Sequence, residues 1–253
     1  LNRYMSHTPA NLFIHIYLPA SFCEADLAGN LGEHKMLVNK TELVLDLLDI
    51  GAVEIGEFGL GEFRLKHHTK DRNVPLSPIR FNLRVPPLQL STLNTIGDAL
   101  KNIVQNGLIH FDDIVPIPNA GIPITVALMK ALGLENFVDL IKHQGCFLIH
   151  YSSVSYVPGH GRKRRKALVI DDVITKATSK LEAIEVLEKA GYEVKDVVVV
   201  VDREQGGKEE LESRGVNLHS VFTMTEILNL YVAHNRIDSE IRKKILEYIK
   251  LDR

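Results

Sequence analysis

Apolar positions along the chain follow two patterns, one typical of helices and one typical of buried strands. Apolar residues recur at helical spacing over residues 41–50, 88–106, 122–132, 180–190, 211–215, 225–230 and 237–249. Short apolar runs predict strands at residues 52–55, 63–65, 79–83, 114–117, 137–141, 167–170 and 216–222. Five consecutive valines, Val197 to Val201, predict a central strand that is covered on both faces.

From residue 114 onward, predicted strands and helices alternate. This alternation predicts an α/β fold with a doubly wound, mainly parallel sheet, in which ligands bind beyond the carboxyl ends of the strands. We predict an N-terminal extension over residues 1–36 and a small helix-and-strand subdomain over residues 37–87. An α/β core with C-terminal helices is predicted over residues 88–253.

Composition narrows the functional classes. The chain has 253 residues, and its 30 Lys and Arg against 32 Asp and Glu argue against a nucleic-acid partner, which usually requires a basic excess. Cys23 and Cys146 lie far apart, which argues against a disulfide framework and a Cys-rich zinc site. No run approaches the ~18 apolar residues that span a membrane. We therefore expect no membrane partner and a cytoplasmic location.

The segment from Ala167 to Lys180 reads Ala-Leu-Val-Ile-Asp-Asp-Val-Ile-Thr-Lys-Ala-Thr-Ser-Lys. It predicts a buried strand, then two carboxylates, Asp171 and Asp172, and then a hydroxyl-rich loop that leads into a helix. Backbone N–H groups at a helix N-terminus bind anions, and Thr and Ser hydroxyls add donors. Carboxylates repel phosphate but suit sugar hydroxyls, or a divalent cation shared with phosphate oxygens. The combination predicts a ribose 5-phosphate site; the alternative is a plain turn that Asp172 caps.

This string resembles the 5-phosphoribosyl 1-diphosphate (PRPP) binding motif of the type I phosphoribosyltransferases, although Lys176 and Ala177 stand where that family usually has a small residue and Gly. Further segments are similar to orotate phosphoribosyltransferases, over roughly residues 41 to 250. They are Gly56-Glu57-Phe58, Phe63-Arg64-Leu65-Lys66, Ser77-Pro78-Ile79-Arg80-Phe81-Asn82-Leu83-Arg84 and Val201-Asp202-Arg203-Glu204-Gln205-Gly206-Gly207.

The resemblance implies a type I phosphoribosyltransferase fold with a small N-terminal hood, and transfer of 5-phosphoribose from PRPP to orotate, a step of pyrimidine biosynthesis. It implies Mg²⁺ as cofactor, bound through PRPP and not directly by the protein, and a homodimer. The residues that it assigns to PRPP are Asp171, Asp172, Val173, Ile174, Thr175, Lys176, Ala177, Thr178, Ser179, Asn119, Ala120 and Gly121. Those that it assigns to orotate are Lys66, Phe81, Arg203 and Thr175, and those that it assigns to catalysis are Lys142, His143 and Asp172.

The sequence departs from the family in the cationic catalytic loop, expected after the strand that ends near Ile141. Lys142 and His143 are present there, but a second loop Lys has no counterpart. The basic run from Arg162 to Lys166 is either a replacement source of cations or a solvated turn. An enzyme, a non-catalytic PRPP or nucleotide sensor, and a transferase for another base therefore stay open, the last because of an insertion at residues 67–76. His67 and His68 lack a third metal ligand, and we expect no decarboxylase domain after residue 253.

Overall fold

The computed structural model describes residues 40–65, 75–84, 89–150 and 164–252. Lys66, the His67–His68 pair, Arg162, Lys163 and the predicted N-terminal extension lie outside the described residues, so what concerns them stays a prediction. The division at residues 36 and 87 also stays a prediction.

The strands and helices follow one another in the alternating order that the sequence predicts. The first half contains α1 (residues 40–49), β1 (Val53–Ile55), β2 (Ile79–Phe81), α2 (Leu90–Asn106), β3 (Asp113–Pro116), α3 (Gly121–Leu132), β4 (Asp139–His143) and β5 (Cys146–His150). The second half contains β6 (Arg165–Ile174), α4 (Thr178–Lys189), β7 (Tyr192–Asp202), α5 (Gly207–Ser213), β8 (Asn217–Thr223), α6 (Met224–Ala233) and α7 (Ser239–Leu251).

A four-stranded parallel sheet in the order β3-β6-β7-β8 forms the centre of the protein. Alternate valines of β7 face opposite sides: Val198 and Val200 pack with α1, α2, α3, α6 and α7, whereas Val197 and Val199 pack with α4, α5 and the β4–β5 hairpin. Helices on both faces confirm the doubly wound α/β fold. Within the described ranges, no helix is long and apolar enough to cross a membrane.

The described part of the hood is a two-stranded antiparallel hairpin of β1 and β2. Its apolar side chains, among them Val53 and Ile79, join the first of the two cores. The strand predicted at residues 63–65 is wrong: Phe63 forms a single bridge with Ser77, and one paired residue is too short for a strand. The predicted α1 is confirmed, but it already includes residue 40.

The stretch expected as a loop after Ile141 is instead part of a tight hairpin. β4 continues to His143, a turn follows at Gln144 (φ 48°) and Gly145 (φ 88°), and β5 runs back antiparallel. Two positive φ values in a two-residue turn match the twist of antiparallel strands, and glycine adopts them at low cost. Burial of Phe147 in the second core anchors the returning strand.

Candidate active site

The predicted PRPP-binding turn lies at the carboxyl end of β6. The strand extends through Asp171 and Asp172, and α4 begins at Thr178. Ala177 joins the turn to the helix in the left-handed conformation, at φ 56°. This conformation costs about 1–2 kcal/mol for a residue with a Cβ. Ala177 therefore adopts a glycine-like backbone conformation at the position where the family usually has Gly.

A cavity of about 570 Å³ opens over this turn. It brings together residues that are far apart in sequence: the predicted PRPP residues, Phe81 from the hood, Lys142 from the hairpin and Arg203 from the end of β7. The described lining residues are Leu65, Phe81, Lys142, Gly145, Asp172, Val173, Thr175, Lys176, Ala177, Thr178, Ser179, Lys180, Glu182, Arg203 and Asp252. Of the predicted PRPP residues, Asp171 and Ile174 are buried behind this wall.

Lys180, in the first turn of α4, makes a buried ion pair with the first acid of the motif. Its Nζ lies 2.5 Å from Asp171 Oδ2, and each side chain is only 6% exposed. The same ammonium donates a hydrogen bond to the backbone carbonyl of Val173 at 2.6 Å. The other carboxylate oxygen of Asp171 accepts a hydrogen bond from the backbone N–H of Asp172 at 2.8 Å. Asp171 is thus held by the protein itself on both oxygens.

The second acid, Asp172, lines the cavity and has an unusual ionisation equilibrium. Burial and the adjacent Asp171 carboxylate raise the pKa of Asp172 to about 7, and the Lys180 ammonium opposes this rise. Its Oδ1 accepts a hydrogen bond from the N–H of Val173 at 2.7 Å. A carboxylate that changes charge near neutral pH at the edge of a cavity is typical of functional sites.

Arg203 follows the last residue of β7 and is 3% exposed. Its Nη2 donates to Ser77 Oγ at 3.1 Å, and its guanidinium carbon lies 6.0 Å from the centroid of the Phe81 ring. Burial lowers the pKa of Arg203 to about 10, so the group stays charged at neutral pH. Its buried Nε has no hydrogen-bond partner among the described residues. A charged, partly unpaired guanidinium at a cavity wall is suited to a planar anionic ligand.

A carboxylate from the end of α7 also reaches the cavity. Asp252 pairs with Lys176 of the turn at 3.1 Å and accepts a hydrogen bond from Gln205 Nε2 at 2.6 Å. Tyr248 of α7 lies beside it: burial and the Asp252 carboxylate raise the pKa of this phenol. The C-terminal helix therefore forms part of the site, which the sequence pattern does not indicate.

The hairpin contributes Lys142 but not His143 to the cavity lining. The Lys142 ammonium lies 4.7 Å from the centroid of the Phe147 ring and 4.0 Å from Glu182. Because Lys142 is only weakly tethered, it is placed to turn toward an anion in the cavity. His143 is exposed at the end of β4, beside the turn.

The predicted PRPP residues Asn119, Ala120 and Gly121 lie in a loop directly behind Asp171. Gly121 begins α3, and a Cβ at this position would come within 2.7 Å of the carbonyl of Ile170 and 3.4 Å of Asp171 Oδ1. Glycine is therefore required for the close approach of this loop to β6. The loop borders the site but does not line the cavity.

The described part of the basic run, residues 164–166, lies at the amino end of β6, whereas the candidate site lies at the carboxyl end of this strand. Arg165 begins β6 and pairs with Asp113, the first residue of β3, at 2.6 Å. Asp172 is seven residues after Arg165 along β6, so the two residues lie about 23 Å apart, toward opposite ends of the strand. Within one chain, Arg164, Arg165 and Lys166 are therefore not placed to replace the missing loop cation.

Comparison with known proteins identifies the family. No family model matches the sequence. The chain is 30% identical over 196 residues to the orotate phosphoribosyltransferase of Methanopyrus kandleri, covering 77% of this chain and 95% of that protein. It is 31% identical over 188 residues to the enzyme of the same name from Methanocella arvoryzae, covering 74% and 97%. The chain belongs to the orotate phosphoribosyltransferase family.

Solved structures agree with this orotate phosphoribosyltransferase assignment. The crystal structure of orotate phosphoribosyltransferase from Aeropyrum pernix has a TM-score of 0.56 and 26% identity, covering 74% of this chain and 96% of that one. The UMP synthase of Leishmania donovani shares the fold, with a TM-score of 0.67 over 90% of this chain. Among the relatives found by sequence, bovine uridine 5'-monophosphate synthase is 28% identical to this chain over 209 residues, and the match covers 41% of the length of that protein.

Three residues support the site of this orotate phosphoribosyltransferase family member from behind, and the sequence pattern does not indicate their role: Lys180, Ser77 and Asp252. Lys180 was the last residue of the motif string, but lysine in a helix is usually exposed. Ser77 and Asp252 reach Arg203 and Lys176 only through the tertiary fold. No group of three or more His, Cys, Asp or Glu side chains is placed to hold a metal in the described part of the chain.

Proposed function

We propose that the protein transfers the 5-phosphoribosyl group of PRPP to N1 of orotate and releases diphosphate. The bond from C1′ to the diphosphate oxygen breaks and its electron pair leaves with diphosphate, a bond from N1 of orotate to C1′ forms, and the N1 proton is released to water. The products are orotidine 5′-phosphate and diphosphate, a step toward UMP. The observation that carries this proposal is a single cavity that combines the ribose-phosphate turn with Arg203 and Phe81.

In this proposal the residues of the turn bind the ribose phosphate. The N–H groups at the start of α4 and the hydroxyls of Thr175, Thr178 and Ser179 receive the 5-phosphate, because a helix N-terminus favours anions. Asp172 accepts hydrogen bonds from the ribose hydroxyls. The loop that contains Gly121 borders the site outside the cavity, and its proposed role of receiving the diphosphate rests on the family resemblance.

The base is proposed to bind across the cavity, between Phe81 and Arg203. Orotate is planar and carries a carboxylate, so a ring face and a guanidinium suit it. Holding N1 in line with C1′ would supply most of the protein's contribution to the rate, because the protein need not form covalent bonds itself. Lys142 would stabilise the negative charge that develops on the leaving diphosphate.

The donor set fits a Mg²⁺ ion that arrives with PRPP. Mg²⁺ is usually held by one or two carboxylates together with substrate phosphates and water. Asp172 offers such a carboxylate at the cavity wall, whereas Asp171 is already paired with Lys180. When bound, the ion would neutralise charge on the diphosphate. We propose no protein cage for it.

A homodimer and a cytoplasmic location are further parts of the proposal. The homodimer rests on the family resemblance alone, and the cytoplasmic location rests on the two cysteines that lie far apart in the sequence. Sedimentation of the purified protein at micromolar concentration would test the dimer.

A second candidate function is PRPP binding without turnover. It is favoured by one observation: of the hairpin residues 139–150, Lys142 is the cation that lines the cavity. Removal of one electrostatic donor to a transition state typically costs ~3–4 kcal/mol, or two to three powers of ten in rate.

The decisive experiment follows orotate absorbance with PRPP and Mg²⁺, while calorimetry measures PRPP binding separately. Loss of orotate above a no-enzyme control supports the transferase. PRPP binding without consumption of orotate, uracil or a purine base supports the sensor. Consumption of another base but not orotate would change the assigned substrate, and absence of PRPP binding would overturn both candidates.

A further inference from the structure

The two adjacent acids of the PRPP motif have different environments. Asp171 is buried against Lys180 on one side and against the start of α3 on the other, where Gly121 leaves no room for a Cβ. Both of its carboxylate oxygens already have partners within the protein, Lys180 Nζ at 2.5 Å and the N–H of Asp172 at 2.8 Å. Asp172, in contrast, lines the cavity.

Lys180 connects the two ends of the phosphate-binding turn. From the first turn of α4, its ammonium reaches back to Asp171 and to the carbonyl of Val173, both on β6. The turn from Thr175 to Ala177 is therefore closed at its base by two short charge-assisted contacts. Such contacts are roughly twice as strong as neutral hydrogen bonds and fix geometry well.

A buried lysine is unfavourable unless it is paired, and a buried ion pair is often no more stabilising than well-packed apolar residues in place of both partners. An ion pair at the base of a binding turn therefore points to a role in binding geometry. Lys180 also lines the cavity, so it places a positive charge beneath the anion-binding turn.

We propose that Lys180 is a positioning residue: it neutralises Asp171 and holds the turn, so that Asp172 alone contacts the ribose hydroxyls of PRPP. This inference rests on the proposed function for the identity of the ligand. It assigns the two acids different roles, one internal to the protein and one toward the ligand.

The test is a double-mutant cycle read by PRPP calorimetry. Lys180→Met and Asp171→Asn each leave one partner of the buried pair without its counter-charge, and each should weaken PRPP binding about tenfold or more. The double variant removes both charges and should recover binding to within about threefold of the unmodified protein. Asp172→Asn should weaken binding about tenfold or more, with or without the other changes.

A double variant that binds no better than the weaker single variant would show that Asp171 contacts the ligand, and would overturn the proposal. Unchanged binding by Lys180→Met or by Asp172→Asn would also overturn it. Lys189→Met, at the exposed end of the same helix, is the matched control and should leave PRPP binding unchanged.

Melting temperatures separate loss of folding from loss of positioning. If Lys180→Met does not fold, PRPP binding by the double variant alone tests the proposal, because the double variant contains no unpaired charge from this ion pair. Failure of the unmodified protein to bind PRPP would refute the proposed function. Failure of the double variant to recover, with PRPP binding intact in the unmodified protein, would refute only the role of Lys180.

Discussion

Arg203 Nη2 donates a hydrogen bond to Ser77 Oγ at 3.1 Å. This contact joins the end of β7 to the hood, between residues that are 126 positions apart in the sequence. Both side chains are buried, and Ser77 Oγ in turn donates to the carbonyl of Ile79 at 2.7 Å. The guanidinium is therefore fixed in place before any ligand arrives. Preorganised charge is what a site needs to select one planar anion among several bases.

Replacing this guanidinium should affect the base and not PRPP. Arg203→Lys keeps a positive charge but loses the planar, forked donor set. We expect the KM for orotate to rise about tenfold or more, since one lost charged hydrogen bond corresponds to ~1.5–3 kcal/mol. The dissociation constant for PRPP should change less than about twofold. Steady-state kinetics and calorimetry measure the two quantities.

Arg214→Lys, an exposed arginine after α5, serves as the matched control and should behave like the unmodified protein. Equal losses of orotate and PRPP binding in Arg203→Lys would indicate that Arg203 only supports the fold.

Lys142 should contribute to the rate rather than to binding. In Lys142→Met we expect kcat to fall about 100-fold, because a cation that stabilises the departing diphosphate acts mainly in the transition state. His143→Gln should change kcat less than about threefold, because His143 does not line the cavity. A smaller effect for Lys142→Met than for His143→Gln would contradict these assignments. Lys208→Met, an exposed lysine on α5, is the control.

The ionisation of Asp172 should appear in the pH dependence of stability. The pKa of Asp172 is about 7 in the folded protein, above its ordinary value of 3.8, so the folded state binds more protons than the unfolded state between those pH values. The contribution of Asp172 to the free energy of unfolding is therefore greatest at low pH, and it falls as pH rises from about 4 to 7. One pKa unit corresponds to about 1.4 kcal/mol, which makes the decrease measurable.

Asp172→Asn removes this proton uptake and should stabilise the protein relative to its parent more at pH 8 than at pH 4. Thermal melts across this range provide the measurement. A difference between variant and parent that is independent of pH would mean that the pKa of Asp172 is not raised in the folded protein.

Gly207, the first residue of α5, packs against the turn that we propose to bind the phosphate of PRPP. A Cβ at Gly207 would lie 2.4 Å from the carbonyl oxygen of Thr175 and 2.7 Å from the Ile174 side chain. Gly207→Ala should therefore displace the turn and weaken PRPP binding about tenfold, with little change in the KM for orotate. Calorimetry with PRPP measures this directly. Gly133→Ala, whose Cβ meets nothing within 4 Å, is a control that tests backbone strain without the steric contact.

Local patterns predicted the framework of this protein well. The valine run became the centre of β7, because continuous apolar β-branched residues suit a strand covered on both faces. The order of β6, the hydroxyl-rich turn and α4 was predicted correctly, since it depends on neighbours in sequence, but Asp171 and Asp172 lie within β6 and not after it. The predicted end of β6 was too early: the strand continues to Ile174 because backbone pairing with β7 persists beyond the apolar run.

What the sequence could not predict depends on distant contacts. The burial of Lys180 follows from the way α4 packs beneath β6, and lysine at a helix start ordinarily faces solvent. Asp252 meets Lys176 only because α7 returns to the cavity. The returning strand β5 was missed because the resemblance suggested a loop there, although Gly145 and the apolar residues after it are typical of a hairpin.

Product formation distinguishes an orotate phosphoribosyltransferase from a protein that only binds PRPP. The purified protein is incubated with PRPP, orotate and Mg²⁺, and orotidine 5′-phosphate and diphosphate are quantified by chromatography beside Arg203→Lys and Lys142→Met. We expect both products in equal amounts, over many turnovers, with fewer turnovers in each variant. Binding of PRPP by calorimetry with no orotidine 5′-phosphate above the no-enzyme control would contradict the proposed catalytic function.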